Sequence, residues 1–114
     1  LTAQKAAAWK QRVEGLLIAE LRRGAITQKT IAKALKVEVR TLQRNLKAED
    51  TCFQELLTGV RKSHALSQLS CNVPIAQIGS ELGYKDPSAF SNAFKLWFGV
   101  SPRNYSDAIQ VSVP

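Results

Sequence analysis

One pattern occurs twice in this chain, and a sequence that repeats itself is confined to folds that two copies of one unit can build. Ile31, Ala32, Leu35, Val37, Leu42, Leu46 and Lys47 are answered by Ile78, Gly79, Leu82, Tyr84, Phe90, Phe94 and Lys95. The offset is 47 residues for the first four pairs and 48 for the last three, so the turn of the second copy carries one inserted residue. Each copy reads as an apolar stripe at helical spacing, a turn, and a second such stripe. Ala32 and Gly79 stand where the paired helices approach most closely, a place that demands a small side chain.

Helical periodicity continues outside the repeats. Trp9, Val13, Leu16, Leu17 and Leu21 form a stripe on a helix that starts within Ala6 to Ala8 and that Gly24 is placed to end. Thr27 can cap a short helix through Leu35, and the next spans roughly Val39 to Lys47 with Leu42 and Leu46 inward. Thr51, Cys52, Phe53 and Gln54 fit a capping box that opens a long helix to about Ser70, with Gln54 reaching back to Thr51. Asn72-Val73-Pro74 breaks the chain before the second copy. Asp86-Pro87 suits the cap and first position of its second helix, and Gly99 ends that helix.

Ser101-Pro102 begins one more short turn, while residues 107–114 lack a helical pattern and read as a frayed tail. No strand pattern occurs. The expected fold is all-α, with about seven helices and two helix-turn-helix units joined by a long central helix. The leading helix falls in residues 1–24, and the double unit covers 25–106. Within it, the units span about 25–49 and 73–106, with the linker helix at about 51–70.

Composition removes several function classes. No apolar run approaches the ~20 residues that span a bilayer, and the N-terminus has no signal-peptide pattern, so no membrane partner is expected. Cys52 and Cys71 stand apart from each other and from any metal-ligand spacing. They read as two buried, reduced thiols of a cytoplasmic protein. His64 is the only histidine and has no partner motif, so a structural role is expected. There is no phosphate-binding glycine loop and no nucleophile motif. No enzyme activity, cofactor or metal is expected.

The charge is uneven. The chain carries +7, yet residues 1–47 hold eleven Lys/Arg against three acids, while residues 48–114 hold five against six. A basic face joined to helix-turn-helix spacing favours a polyanionic partner. A helix, a tight turn and a second helix with a polar outer face is also the geometry that carries side chains into the DNA major groove. Tyr84, Phe90, Phe94, Trp97, Phe98 and Tyr105 fall on buried stripes and fit a core, which argues against a base-stacking platform for single strands.

Gly83-Tyr84, Ser88-Ala89-Phe90-Ser91, Phe94-Lys95, Phe98-Gly99, Ser101-Pro102 and Tyr105 together resemble the C-terminal signature of AraC-type bacterial transcription regulators. Arg40-Thr41-Leu42-Gln43-Arg44, followed by Phe53 and Arg61, matches that family's first half. The resemblance covers roughly residues 25 to 106. It implies a seven-helix domain whose two recognition helices face one side of duplex DNA and enter adjacent major-groove segments. It also implies transcription regulation, commonly activation, with RNA polymerase as a further partner. The chain starts at Leu1 and not at Met, which suggests a fragment. In this family a preceding half commonly senses a small molecule or dimerises the protein, so the isolated domain is expected to be monomeric.

The face opposite Leu42 and Leu46 carries Arg40, Thr41, Gln43, Arg44 and Lys47. Arg can bond bidentately to guanine and Gln to adenine, each pair being worth ~1–3 kcal/mol of discrimination. The resemblance places base contacts at Arg40, Gln43 and Arg44, and Thr41 shares their face. Two roles stand open for Arg44, a base contact or a structural ion pair with Glu38 or an acid elsewhere. In the second unit Ser88, Ser91 and Asn92 are the base-contact candidates, although Ser88 and Ser91 suit phosphate better. The family often has Arg where this chain has Asn92. Phosphate contacts are expected from Thr27, Gln28, Lys29 and Lys33, from Lys47 and Lys95, and from the turn at Pro74 to Gln77.

Two departures concern the first turn. Lys36 stands where the second turn has Gly83, and a positive φ there strains lysine by ~1 kcal/mol. Glu38 stands where the family usually has a serine cap. The leading expectation is sequence-specific binding of double-stranded DNA by a bacterial regulator. The alternatives are a helical protein-interaction module with an incidental basic face, and a non-specific RNA binder.

Overall fold

The computed structural model describes residues 8–21 and 26–112, and those residues form seven helices and no strand. They are α1 (Trp9–Glu20), α2 (Gln28–Ala34), α3 (Val39–Ala48), α4 (Phe53–Ser70), α5 (Ile75–Glu81), α6 (Pro87–Phe98) and α7 (Pro102–Ser112). α1 begins at Trp9 with Ala8 as its non-helical cap residue, past the expected start within Ala6 to Ala8, and its expected stop at Gly24 lies outside the described residues. The chain divides into two compact units, residues 1–60 and 61–114, with the boundary inside α4.

In the first unit α1, α2 and α3 pack pairwise. Val13, Leu17, Ile31, Leu42 and Leu46 are 0% exposed. These are the stripes that the periodicity marks, and removing one such leucine costs roughly 2–5 kcal/mol. In the second unit α6 packs on α5 and α7. Its centre is aromatic: Phe90 and Phe94 are fully buried, with ring centroids 6.0 Å apart, and Phe94 lies 4.6 Å from Phe98 and 5.8 Å from Tyr105. Offset and edge contacts of this kind are favourable because the rings' negative faces meet positive edges. Phe90 and Phe94 lie in the core as their spacing implies, while Tyr84, Trp97, Phe98 and Tyr105, expected on buried stripes, are only half-buried around them.

The two repeats share a turn at the level of single hydrogen bonds. Lys36 N donates to Lys33 O and Val37 N to Ala32 O, both at 3.0 Å. Gly83 N donates to Ser80 O at 3.0 Å and Tyr84 N to Gly79 O at 2.9 Å. These paired bonds form a Schellman motif, which requires its penultimate residue to be left-handed. Lys36 takes φ 60° and Gly83 φ 92°. The same motif closes α3 at Asp50 and α4 at Asn72, with φ 60° and 61°. The inserted residue of the second copy therefore falls after this shared turn, in the stretch that leads to Asp86.

Several expectations need correction. The capping box at Thr51 does not form as described: the first bond of α4 runs from Leu56 N to Cys52 O, and Gln54 donates forward to Thr58 at 3.4 Å. Both cysteines are free and exposed, because they occupy the two ends of α4 and not its inner stripe. The tail is helical: α7 runs to Ser112, past the expected end of regular structure. Ser101 caps it by accepting from Asn104 N at 3.1 Å, and Pro102, Tyr105 and Ile109 give it an inward stripe.

Candidate nucleic-acid interface

Each unit presents its second helix as an amphipathic rod whose inner face is held by core contacts. In α3 the buried Leu42 and Leu46 fix the rotation of the helix about its axis. The opposite face then carries Arg40, Arg44 and Lys47, all exposed, with Gln43 exposed on one flank and Thr41 half-buried on the other. Arg40 and Arg44 are one turn apart. Among the described residues, no ion pair joins Arg44 to Glu38. The guanidinium fork thus stays available to an external acceptor. Glu38 is the backbone cap of α3 in extended conformation, but its side chain makes no capping bond.

The start of α2 collects the expected phosphate-binding residues. Thr27 caps this helix by accepting from Thr30 N at 3.1 Å, and its hydroxyl also meets the Thr30 hydroxyl at 2.8 Å. Its oxygen is therefore already engaged locally. Lys29 and Lys33 are exposed, and Gln28 is half-buried. Gln43 Nε2 donates to Gln28 Oε1 at 3.0 Å, which joins a residue expected at phosphate to one expected at a base. Nothing in the spacing of the sequence marks this bond, because it forms between two helices.

In the second unit Phe90 and Phe94 fix the rotation of α6. Ser88, Asn92 and Lys95 are exposed on its outer side, and Ser91 is half-buried at the edge of that face. Asp86 caps the helix by accepting from Ser88 N at 3.0 Å and from the Ser88 hydroxyl at 2.9 Å. Those two bonds, the backbone one first, hold the Asp86 carboxyl below its ordinary value. Ser88 has spent its hydroxyl proton on Asp86, so it offers an incoming group lone pairs only. That suits a base amino group better than a phosphate oxygen. Leu96, one turn beyond Asn92 on this face, is 87% exposed, and its i+4 spacing from Asn92 is the only sequence signal for it.

His64 Nε2 lies 3.1 Å from Glu81 Oε1, which also accepts from Gln68 at 3.1 Å, while Gln77 reaches Glu81 Oε2 at 3.2 Å. The bonds from His64 and Gln68 tie α4 to α5 within the second unit, while the Gln77 bond lies within α5. Arg61 stands over the Tyr84 ring at 5.6 Å and keeps Nε out of solvent. Among the described residues no cluster of His, Cys, Asp and Glu could hold a metal ion. No helix there is long and apolar enough to cross a membrane.

A family model described as a helix-turn-helix domain matches residues 31–108. The chain is similar to an uncharacterised helix-turn-helix-type transcriptional regulator of Mycobacterium tuberculosis, 40% identical over 77 residues. That match covers 67% of this chain and only 22% of the relative. Among solved structures, transcriptional regulator CdpR from Pseudomonas aeruginosa superposes with a TM-score of 0.80 at 32% identity. The match covers 91% of this chain and 33% of that one. The C-terminal domain of AraT, a response regulator from Geobacillus stearothermophilus, gives a TM-score of 0.77 at 31% identity. There the match covers 88% of this chain and 84% of that domain.

Proposed function

The chain belongs to the AraC-type helix-turn-helix family of transcriptional regulators, and on that premise we propose that it binds double-stranded DNA by sequence through α3 and α6. The observation that carries this reading is the outer face of α3. Arg40, Gln43 and Arg44 project together from a helix whose rotation Leu42 and Leu46 hold fixed. Long cationic side chains on a rigid helix can pair bidentately with guanine edges, and a glutamine amide with adenine. Thr41 completes that face. Lys29, Lys33 and Lys47 supply phosphate contacts beside Thr27 and Gln28 at the start of α2.

The second unit reads more weakly. Asn92 can address adenine, Ser88 and Ser91 offer short polar groups, and Lys95 grips phosphate. α6 enters the neighbouring major-groove segment, and specificity rests mainly on α3. From the family likeness, the regulator acts in the cytoplasm as an activator that also meets RNA polymerase.

In vitro selection from random duplexes at ~150 mM salt tests this reading, because that salt suppresses purely ionic binding. Two half-sites about one helical turn apart are expected. Arg44→Ala should relax one half and leave the other intact. A wild-type domain that enriches no motif would sink the proposal.

A further inference from the structure

The hydrogen bond between Gln28 and Gln43 constrains which base α3 can read. Gln28 opens α2 and Gln43 lies at the middle of α3, and Gln43 Nε2 donates to Gln28 Oε1 at 3.0 Å. A glutamine amide has two N–H donors and one carbonyl acceptor. The bond uses one of the two donors of Gln43. What Gln43 keeps is one N–H and its carbonyl oxygen, a donor beside an acceptor. Adenine presents the complement in the major groove, the N7 acceptor beside the N6 amino donor.

An unanchored glutamine would not make that choice. Its terminal torsion is broad and roughly two-fold, so a free amide exchanges the positions of its oxygen and nitrogen. Gln28 has the same two-fold torsion, so the pair orders together. While the Gln28 carbonyl faces Gln43, as it does here, the Gln43 nitrogen must face it, and one orientation is held before any DNA arrives. Ordering done in advance is ordering that binding need not supply. Gln28 itself keeps both amide hydrogens, which suit a phosphate oxygen at the edge of the groove. Lys47 lines the same open hollow as both glutamines and adds positive charge there.

The second unit has no counterpart. With the offsets of the repeat, Ile75 answers Gln28 and Ser91 answers Gln43. An isoleucine cannot accept a hydrogen bond from its side chain, and serine has no amide to orient. The device is confined to the first helix-turn-helix.

We propose that Gln28 is a positioning residue for sequence reading, holding the Gln43 amide in the orientation that selects adenine. The inference rests on the reading of α3 as a DNA-recognition helix. Random-duplex selection with wild type, Gln43→Ala, Gln28→Leu, Gln28→Asn and Gln28→Glu tests it, with thermal unfolding of each variant alongside. Wild type should select adenine at one position whose preference Gln43→Ala abolishes. Gln28→Leu, and Gln28→Asn, which is too short to reach, should each weaken that adenine preference by about threefold or more and spare the guanines chosen by Arg40 and Arg44. Two variants of different polarity guard against a single loss of folding. Gln28→Glu keeps an acceptor for Gln43, so it should restore the adenine preference while binding all duplexes less tightly, because its carboxylate faces phosphate.

Wild-type adenine preference in folded Gln28→Leu and Gln28→Asn, with loss in Gln43→Ala, would overturn the role of Gln28 and leave α3 as the reading helix. No motif for wild type would overturn the DNA reading itself, and this inference with it.

Discussion

Gly79 on α5 faces Phe90 on α6 so closely that a Cβ on Gly79 would stand 3.0 Å from the Cβ of Phe90 and 3.2 Å from its Cγ. Phe90 Cβ is bound to backbone and its ring is fully buried, so the neighbour cannot swing away. Gly79→Ala gains helix propensity of about 1 kcal/mol, but forcing the helices apart costs about 1–3 kcal/mol. The variant is expected to be less stable by roughly 1 kcal/mol, read as a lower denaturation midpoint at unchanged slope. A stabilised variant would mean that α5 and α6 can separate freely.

Lys36 adopts φ 60° in the turn where the second unit has Gly83 at φ 92°. Lys36→Gly should therefore raise stability by about 1 kcal/mol, since glycine enters the left-handed region without a Cβ clash. The reverse change, Gly83→Lys, should lower it by a similar amount. Thermal melts of both variants check the pair.

Glu49, just past α3, accepts from the backbone N–H of Trp9 at 2.7 Å and of Lys10 at 2.9 Å. Ala8 offers no side-chain cap to α1, so this carboxylate satisfies the helix start from 40 residues away. Glu49→Ala should cost about 1–2 kcal/mol, the range of a lost helix cap. Faster amide exchange in the first turn of α1, with little change in α6, is the expected signature.

Asp86 titrates below the ordinary 3.8 because Ser88 N–H and then its hydroxyl favour the carboxylate. A depressed folded-state pKa makes a contribution that is complete above the unfolded value and is lost as pH falls through the folded one. Thermal unfolding from about pH 6 to about pH 2 should show acid weakening, and Asp86→Asn, which keeps a capping side chain, should remove that component. Equal acid sensitivity in both proteins would assign the effect elsewhere.

Cations on the two helices of the first unit should divide by their salt response. Lys33→Ala and Lys47→Ala are each expected to lower the slope of log affinity against log salt by about 1 and to weaken all duplexes alike. Arg40→Ala should instead lose about 1–3 kcal/mol of discrimination at one base pair. Filter binding to the selected site and to a scrambled duplex separates the two patterns.

What the sequence determined is what is encoded within about one or two helical turns. The stripes of Leu42 with Leu46 and of Phe90 with Phe94 specify the outward faces of α3 and α6, because burying those side chains sets the rotation of each helix. The 47-residue offset matched Lys36 to Gly83 and so marked the left-handed turn before its φ was known. Thr27 and Asp86 were legible as caps because a cap acts on N–H groups two or three residues away. Tertiary structure decided the rest. The clasp of Glu49 on Trp9 and Lys10, the Gln28–Gln43 bond and the meeting of His64 and Gln68 on Glu81 join separate helices. The length of α7 also escaped, because Pro102, Tyr105 and Ile109 form a sparse stripe whose inward side appears only once the helix is seen. Local periodicity fixes which way a helix faces, while a hydrogen bond between two helices depends on distances that exist only after packing.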